Sequence, residues 1–531
     1  MSPIVRTALL PYLLTCLLAL LALSAFWYGL GRPVTLPQVS SPAHKLQCAS
    51  YTPFDKDQSP HDTPFKLRPA RIDADLALLA RHFQCIRTYS MTGLEDIPAL
   101  ARKHGLTLML GAWVNRNPLD TQIEIKALIE SANANPDVVT SVIVGNETLL
   151  RKELTGGQLV TLIHQVKAAV QQPVTYADVW EFWDQYPEVG EAVDFVTIHL
   201  LPYWEDHPTG IDDALAHVAA IHDEFAQRFA PRDIVIGETG WPSEGRQRQT
   251  AQPSRVNEAR FVRGFVSMAE EHGWHYNLIE AFDQPWKRAN EGAVGGYWGL
   301  FDADREDKGV LEGPVSNLPY WPQWLAAGAL LGLAMLLLAG RPRAASSAPA
   351  GLSAWPQRCA RHPLCVPLLV AVGVASLGVW GELTRVTARF FAEWLWAALL
   401  IALNLIILAH GTLALSTPQG ARADLYQWLE RRAGAWVMAA GFAGAVIMLA
   451  MVFEPRYRSF PTAALVVPAL VYGWRPVPVR RNETRLLAAV IALGIVPQMA
   501  REGLQNPQAW AFAVVSGLLA LALWRCLRLG R

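Results

Sequence analysis

With 531 residues, 52% of them hydrophobic, and 46 basic side chains against 46 acidic ones, the chain is too long for one ordinary domain and has no net charge to draw a nucleic-acid partner. Six cysteines at this length exclude a disulfide-built scaffold, and no His, Cys and carboxylate group has metal-site spacing. No Gly-rich loop suits a nucleotide, so neither a metal nor another cofactor is expected.

The first apolar run, residues 9–30, follows Arg6 in the manner of a signal peptide. It is longer than a signal core and has no small-x-small site before Arg32, so residues 1–32 are expected to be an uncleaved membrane anchor, with a cleaved signal as the alternative. Cys16 lies in this run without a lipoprotein signal around it and reads as a buried apolar residue.

Residues 33–320 carry charges throughout and alternate two periodicities. Apolar β-forming runs fall at 46–51, 85–89, 106–114, 138–145, 174–179, 195–200, 234–237 and 276–282. Helical periodicity occupies intervening stretches such as 74–83, 97–103, 159–170, 214–229 and 256–271. Eight strands separated by helices predict an α/β fold, a single (β/α)8 TIM barrel, with an eighth helix that is not evident after Trp286. Cys48 and Cys85 fall on the first and second strands, which neighbour each other in a barrel. A bridge between them and a pair of free buried thiols are both open readings.

Residues 321–531 read as an all-α transmembrane domain of about seven spans, with apolar blocks at 324–340, 364–381, 394–416, 436–453, 461–474, 486–498 and 509–524. The sixth and seventh blocks are short for a bilayer and are expected either to be re-entrant or to extend past these limits. Trp324, Trp380, Trp394, Trp436, Trp474, Trp510 and Trp524 sit near block ends, as interfacial anchors do. With the N-terminus inside, the cytoplasmic loops would hold Arg341, Arg343, Arg358, Arg361, Arg422, Arg431, Arg432, Arg475, Arg480, Arg481 and Arg485, and the tail Arg525, Arg528 and Arg531. The opposite loops would hold only Arg385, Arg389, Arg456, Arg458 and Arg501, and this asymmetry puts the barrel outside the cytoplasm.

Two glutamates carry the chemistry. Glu147, in VIVGNETLLR, and Glu238, in DIVIGETGWPSEG, each follow an apolar strand and open a polar loop, at the end of a barrel strand where reactive groups sit. Either one alone reads as a solvated loop residue; the pair, on strands four and seven, is the minimal equipment of a glycosidase. A separation near 5 Å would suit a retaining reaction, and the sequence does not give that distance.

VGNE at 144–147 together with GETGWPSEG at 237–245 resembles glycoside hydrolase family 17, the β-1,3-glucanase and glucanosyltransferase family within clan A of retaining barrels. IRTY at 86–89, LPYW at 201–204, EAFDQPWK at 280–287 and WGLF at 298–301 extend the resemblance over nearly all of the barrel and none of the membrane domain. The resemblance implies Glu147 as acid/base, Glu238 as nucleophile and Asn146 as the partner of the sugar 2-hydroxyl. Arg87 and Tyr203 would orient Glu238 or hold its pKa down. Glu280 would stand beside the site or compete for the acid role, and His199 reads as a hydrogen-bonded core residue. Trp241 and Trp286, following strands seven and eight, would stack on pyranose faces or cap the barrel. Tyr51 and Tyr89 divide between substrate contact and packing.

The expected function is a membrane-bound retaining enzyme that cleaves β-1,3-glucosidic bonds and transfers glucan to glucan acceptors, in a bacterial inner membrane with the barrel on the periplasmic side. Simple β-1,3-glucan hydrolysis is the alternative, since both use one covalent intermediate. Expected partners are β-glucan, membrane lipid and a membrane glucan synthase. A glucan-binding or export role, without cleavage, is the reading of another class. The paired glutamates argue against it, and charge or polarity in the apolar blocks is confined to positions such as Glu382, Glu393, Asn404 and His410.

Overall fold

The computed structural model describes residues 3–39, 45–62, 67–340, 364–416, 418–454 and 456–529, with side chains described from residue 11 onward. They fall into two compact units: Val34–Val315, and Met1–Pro33 together with Ser316–Arg531.

In the first unit eight parallel strands close into a barrel in sequence order. They are β1 (Leu46–Ser50), β2 (Phe83–Arg87), β3 (Thr107–Ala112), β4 (Val139–Asn146), β5 (Val174–Val179), β6 (Val196–Leu200), β7 (Ile234–Thr239) and β8 (His275–Leu278). Local sequence explains the helices between them. Pro118 starts Pro118–Ala134 behind the Asn117 cap, and Thr155 and Gln158 form a capping box for Gly156–Lys167. Arg255–His272 opens on the Ser254 cap and closes on Gly273 at φ 69°. After β8 the place of an eighth barrel helix is taken by a 3-10 turn, Pro285–Lys287, and the eight-residue helix Arg288–Gly295.

Alternation along the strands sorts side chains into two sets. One set packs against the helices in the main core, with Ile86, Leu110, Val142, Val144, Ile198, Ile236 and Leu278 among its members. The other points into the barrel, where Cys48, Cys85, Met109, Ile143 and Ala177 form a small apolar floor. Cys48 and Cys85 are paired in the β1–β2 register and joined as a disulfide, which decides between the two readings of these cysteines. Above this floor the inward positions turn polar, and there the site lies.

Among the described residues of the second unit seven helices are long and apolar enough to cross a membrane, one N-terminal and six within 321–531: Pro11–Gly31, Trp321–Ala339, Cys365–Thr387, Phe391–Ala414, Ala433–Phe453, Arg481–Glu502 and Pro507–Leu529. The last two correspond to the sixth and seventh C-terminal apolar blocks and extend past the limits read from hydropathy, to 22 and 23 residues. The fifth block forms the short helix, Ala463–Trp474, of 12 residues. The N-terminal segment belongs to this bundle: Trp27 is buried and stacks on Trp324 with ring centroids 6.1 Å apart. A Cβ on Gly378 would lie 2.6 Å from the Trp27 ring, and one on Gly381 would lie 2.8 Å from Trp324, so these two glycines admit the indoles. Trp324 also donates its Nε1–H to Glu382 at 2.9 Å. Cys359 and the loop cations Arg341, Arg343, Arg358, Arg361 and Arg531 lie outside the described residues, as does the Arg6 side chain.

Candidate active site

Four strands deliver the central groups: Arg87 ends β2, Asn146 ends β4 and is followed by Glu147, and His199 and Glu238 are register partners on β6 and β7. Arg87 is fully buried. Its Nη2 donates to Asn146 Oδ1 at 2.5 Å, and its Nη1 donates to the Gly237 carbonyl at 2.6 Å and lies 3.4 Å from Glu238 Oε1. Gly237 is small for a reason. A Cβ there would come within 2.4 Å of Thr197 Cγ2, 3.2 Å of His199 and 3.4 Å of Arg87 Nη1, so a side chain would close the space that the guanidinium occupies.

Glu238 is nearly enclosed, with 6% of its side chain exposed, and Tyr89 donates to its Oε1 at 2.9 Å. A relay of donors stands behind that phenol: Asn277 Nδ2 to Ser50 Oγ at 2.7 Å, and Ser50 to the Tyr89 oxygen at 2.6 Å. Burial, with the Glu238 carboxylate beside it, pushes the Tyr89 phenol well above its ordinary pKa, which keeps it a donor.

Glu147 is more open, with 24% of its side chain exposed, and it takes φ 51°, in the left-handed region where a side chain is strained. Its N–H donates to the Ala177 carbonyl on β5 at 2.7 Å, which anchors the turn. His199 Nδ1 lies 2.9 Å from Glu147 Oε1, while His199 Nε2 lies 3.4 Å from Arg87 Nη1 and 3.7 Å from Glu238 Oε1. A guanidinium can only donate, so Nε2 turned toward it is the acceptor and Nδ1 carries the proton directed at Glu147. Burial works to raise the Glu147 pKa, but the His199 hydrogen bond and the electrostatic pull of His199, Arg151 and Arg87 outweigh it and hold the group below its usual value.

One oxygen of Glu147, one oxygen of Glu238 and one nitrogen of His199 all lie within 4.8 Å of one another. Such a trio could offer ligands to a metal ion. Arg87 already supplies positive charge at this point, and a divalent ion would face the guanidinium and break the His199–Glu147 bond. The approach of one oxygen from each carboxylate to within 4.8 Å is of the order of the about 5–5.5 Å between the carboxyl groups of a double-displacement site.

The remaining expected site residues divide. Glu280 is buried on an ion pair with Lys287, both oxygens 2.8 Å from Nζ, and burial pushes its pKa up to about 7. Trp286 is half-buried at the rim, its Nε1–H donated to Gln284 at 2.9 Å. Trp241 is corrected to a core residue: it is fully buried, donates to the Gln252 carbonyl at 3.0 Å and packs against Phe261, so no sugar ring reaches its face. Tyr51 is likewise buried, its hydroxyl donating to Asp75 at 3.2 Å, which settles it as packing. The phenol on Glu238 is that of Tyr89 rather than Tyr203, whose proton goes to the Arg246 carbonyl at 2.6 Å.

Sequence reasoning read His199 only as a hydrogen-bonded core residue and passed over three other groups here. His199 stands between the two glutamates, and its register partnership with Glu238 is the signal that would have found it. Lys287 lies in the EAFDQPWK stretch that was read for Glu280 and Trp286. Asp178, pushed up to about 7 by burial and the Glu147 charge, and Glu291, pushed up to about 7 chiefly by burial, add acidic groups around the mouth.

Residues 48–299 match the model of the BtgE/BtgC glycoside hydrolase domain. This part of the chain is similar to a family of glycoside hydrolase domains. A glucan 1,3-beta-glucosidase of Arthroderma benhamiae is 28% identical over 261 residues, covering 45% of this chain and 83% of that protein. One from Schizosaccharomyces pombe is 28% identical over 255 residues, 44% of this chain and 77% of that one. Among solved structures, the family 17 beta-1,3-glucanosyltransferase of Rhizomucor miehei is 26% identical, covers 50% of this chain and 98% of its own, and has a TM-score of 0.44. The matched residues thus include both Glu147 and Glu238.

Proposed function

We propose that the barrel is a retaining enzyme acting on β-1,3-glucan, with Glu238 as nucleophile and Glu147 as acid/base. The observation that carries this reading is the unequal treatment of two carboxylates whose oxygens lie within 4.8 Å. Glu238 is enclosed, faces a guanidinium and accepts a hydrogen bond from a phenol, which fixes the carboxyl in place as a nucleophile requires. Glu147 is partly open to solvent and accepts a hydrogen bond from His199, which suits a group that gives and takes a proton.

Tyr89 and Arg87 both engage Glu238 Oε1, leaving Oε2 free to attack the anomeric carbon. As that bond forms, the glycosidic C–O bond breaks and the Glu147 proton passes to the departing oxygen. Glu147, now ionised, takes a proton from water or from a sugar hydroxyl, whose oxygen displaces Glu238 and restores the β configuration. Asn146, fixed by Arg87, offers its amide to the 2-hydroxyl of the sugar under attack.

The relatives' printed names include both a glucosidase and a glucanosyltransferase, and transfer is the reading we favour. A barrel joined to helices fit to cross a membrane suits the remodelling of a polymer near its synthase better than degradation of soluble glucan. The positive-inside asymmetry supports a multi-pass protein of a bacterial inner membrane with the barrel on the periplasmic side. The test is incubation of the detergent-solubilised chain with a reducing-end-labelled β-1,3-gluco-oligosaccharide and mass spectrometry of the products. Products longer than the substrate are expected; only shorter ones would make it a hydrolase, and none would defeat the reading.

A further inference from the structure

We infer that Trp113, on the loop after β3, is a platform on which one glucosyl ring of the glucan stacks beside the reacting pair. The inference rests on the proposed glycosidase reading of Glu147 and Glu238 and adds a subsite to it.

Three observations place the indole in the mouth of the barrel. Met109 belongs to the barrel-interior cluster, and counting by two along β3 puts Gly111 and then Trp113 on the same inward face, while Ala112 and Val114 are buried on the other. The β3–β4 register pairs Ala112 with Val144, so Trp113 stands level with the start of the Gly145–Asn146–Glu147 turn. Arg151, four residues beyond Glu147, holds its guanidinium carbon 4.2 Å from the Trp113 ring centroid, donates to the Asn146 and Val114 carbonyls, and contributes to the field on Glu147.

The ring is exposed and yet fixed. At 38% exposure it is the most exposed Phe, Tyr or Trp among the described residues of the barrel unit. Its backbone N–H is held by the buried Glu124 carboxylate at 3.1 Å, which also accepts from the Met91 N–H at 2.8 Å and the Ser90 hydroxyl at 2.9 Å. One face is occupied by Arg151, which leaves the other for a ligand. An indole in water beside a polar catalytic cleft, clamped from behind, is suited to the C–H face of a pyranose ring, which is apolar while its rim is hydroxylated. Arg151 links this platform to the catalytic turn, because the same guanidinium touches the indole and the Asn146 carbonyl.

The experiment compares the full chain in detergent with Trp113→Ala and Trp113→Phe, using labelled β-1,3-gluco-oligosaccharides of increasing length as donors and unlabelled ones as acceptors. Trp113→Ala should lower kcat/KM, or the yield of transfer products, about tenfold for oligosaccharides long enough to reach the ring, and leave the shortest cleaved substrate unchanged. Trp113→Phe should restore most of the loss. A loss confined to donor cleavage puts the platform on the donor side, and one confined to transfer yield puts it on the acceptor side. An unchanged dependence on chain length in Trp113→Ala overturns the inference, as does an equal loss at every length that Trp113→Phe fails to restore. A wild-type chain that neither cleaves nor binds these oligosaccharides overturns the inference together with the catalytic reading beneath it.

Discussion

The two units solve opposite solvent problems with the same residue types. In the barrel unit the deepest cations each have several partners, although some buried polar atoms there, such as Asn277 Oδ1, have none: Lys308, fully buried, has Ser243, Glu258, Asp283 and the Gly299 carbonyl around its ammonium, and Arg87 reaches Asn146, Gly237 and Glu238. In the helical unit large apolar side chains face outward, Leu330 at 71% exposure and Leu493 at 73%, and some interior polar atoms are left without protein partners, among them both ends of the Gln498 amide. In the first case buried charges must be paired within the protein. In the second, leucine is the surface residue, which suits helices long and apolar enough to cross a membrane. The difference teaches that the chemistry belongs to the barrel, where charge is concentrated and each group is held by others.

The strongest break of that comparison is at the nucleophile. Glu238→Ala should lower kcat/KM by about 10⁴-fold or more while leaving the unfolding temperature near wild type, read by steady-state kinetics and calorimetry. Glu147→Ala should cost about 10²–10⁴-fold on a glucan, and much less on an aryl β-glucoside whose leaving group needs no proton, measured as the ratio of the two substrates. If both substrates lose equally, Glu147 is not the acid.

The solvent contrast is sharpened by placing one substitution in each unit. Leu493→Arg, in the middle of Arg481–Glu502, should cost about 2.5–3.5 kcal/mol of membrane insertion and shift the chain out of the carbonate-resistant membrane fraction. Leu119→Arg in the barrel, at 74% exposure, should change stability by no more than about 0.5 kcal/mol in thermal unfolding.

Smaller effects probe the coupling of protons. His199→Ala removes the hydrogen bond that opposes burial at Glu147, so the Glu147 pKa should rise; the alkaline limb of the kcat/KM profile should move to higher pH, with about a tenfold loss at the optimum. A shift to lower pH would contradict this assignment. Glu258, pushed up to about 8 by burial against the pull of Lys308, holds its proton more tightly folded than unfolded. Its contribution is therefore complete below the ordinary glutamate range near pH 4.5 and is lost as pH rises through about 8. Glu258→Gln, which keeps the neutral form, should gain about 2–4 °C relative to wild type between pH 5 and pH 9.

Much of the barrel was legible because a buried parallel strand is an apolar run and its loops are polar, so Glu147 and Glu238 stood out at two strand ends. What failed was orientation. Trp241 and Trp286 both follow strands and look alike in sequence, yet one turns into the core beneath Arg255–His272 and the other reaches the rim. The Cys48–Cys85 bridge depended on strand register, and so did the place of His199 between the glutamates. In the helical unit, Arg481, Glu483 and Arg485 open a helix that hydropathy begins only at Leu486, which made a full span read as a short block. The pairing of Trp27 with Gly378 and Trp324 joins distant parts of the chain and has no local signature.

The central claim is that Glu238 carries the sugar. It is tested most directly by treating the full chain with a 2-deoxy-2-fluoroglucoside bearing an activated leaving group, then mapping the adduct by peptide mass spectrometry. The account predicts one fluoroglucosyl group on Glu238, released more slowly when Glu147 is replaced by alanine. An adduct on Glu147 or Glu280, or turnover of the reagent with release of the opposite anomer and no adduct, would contradict it.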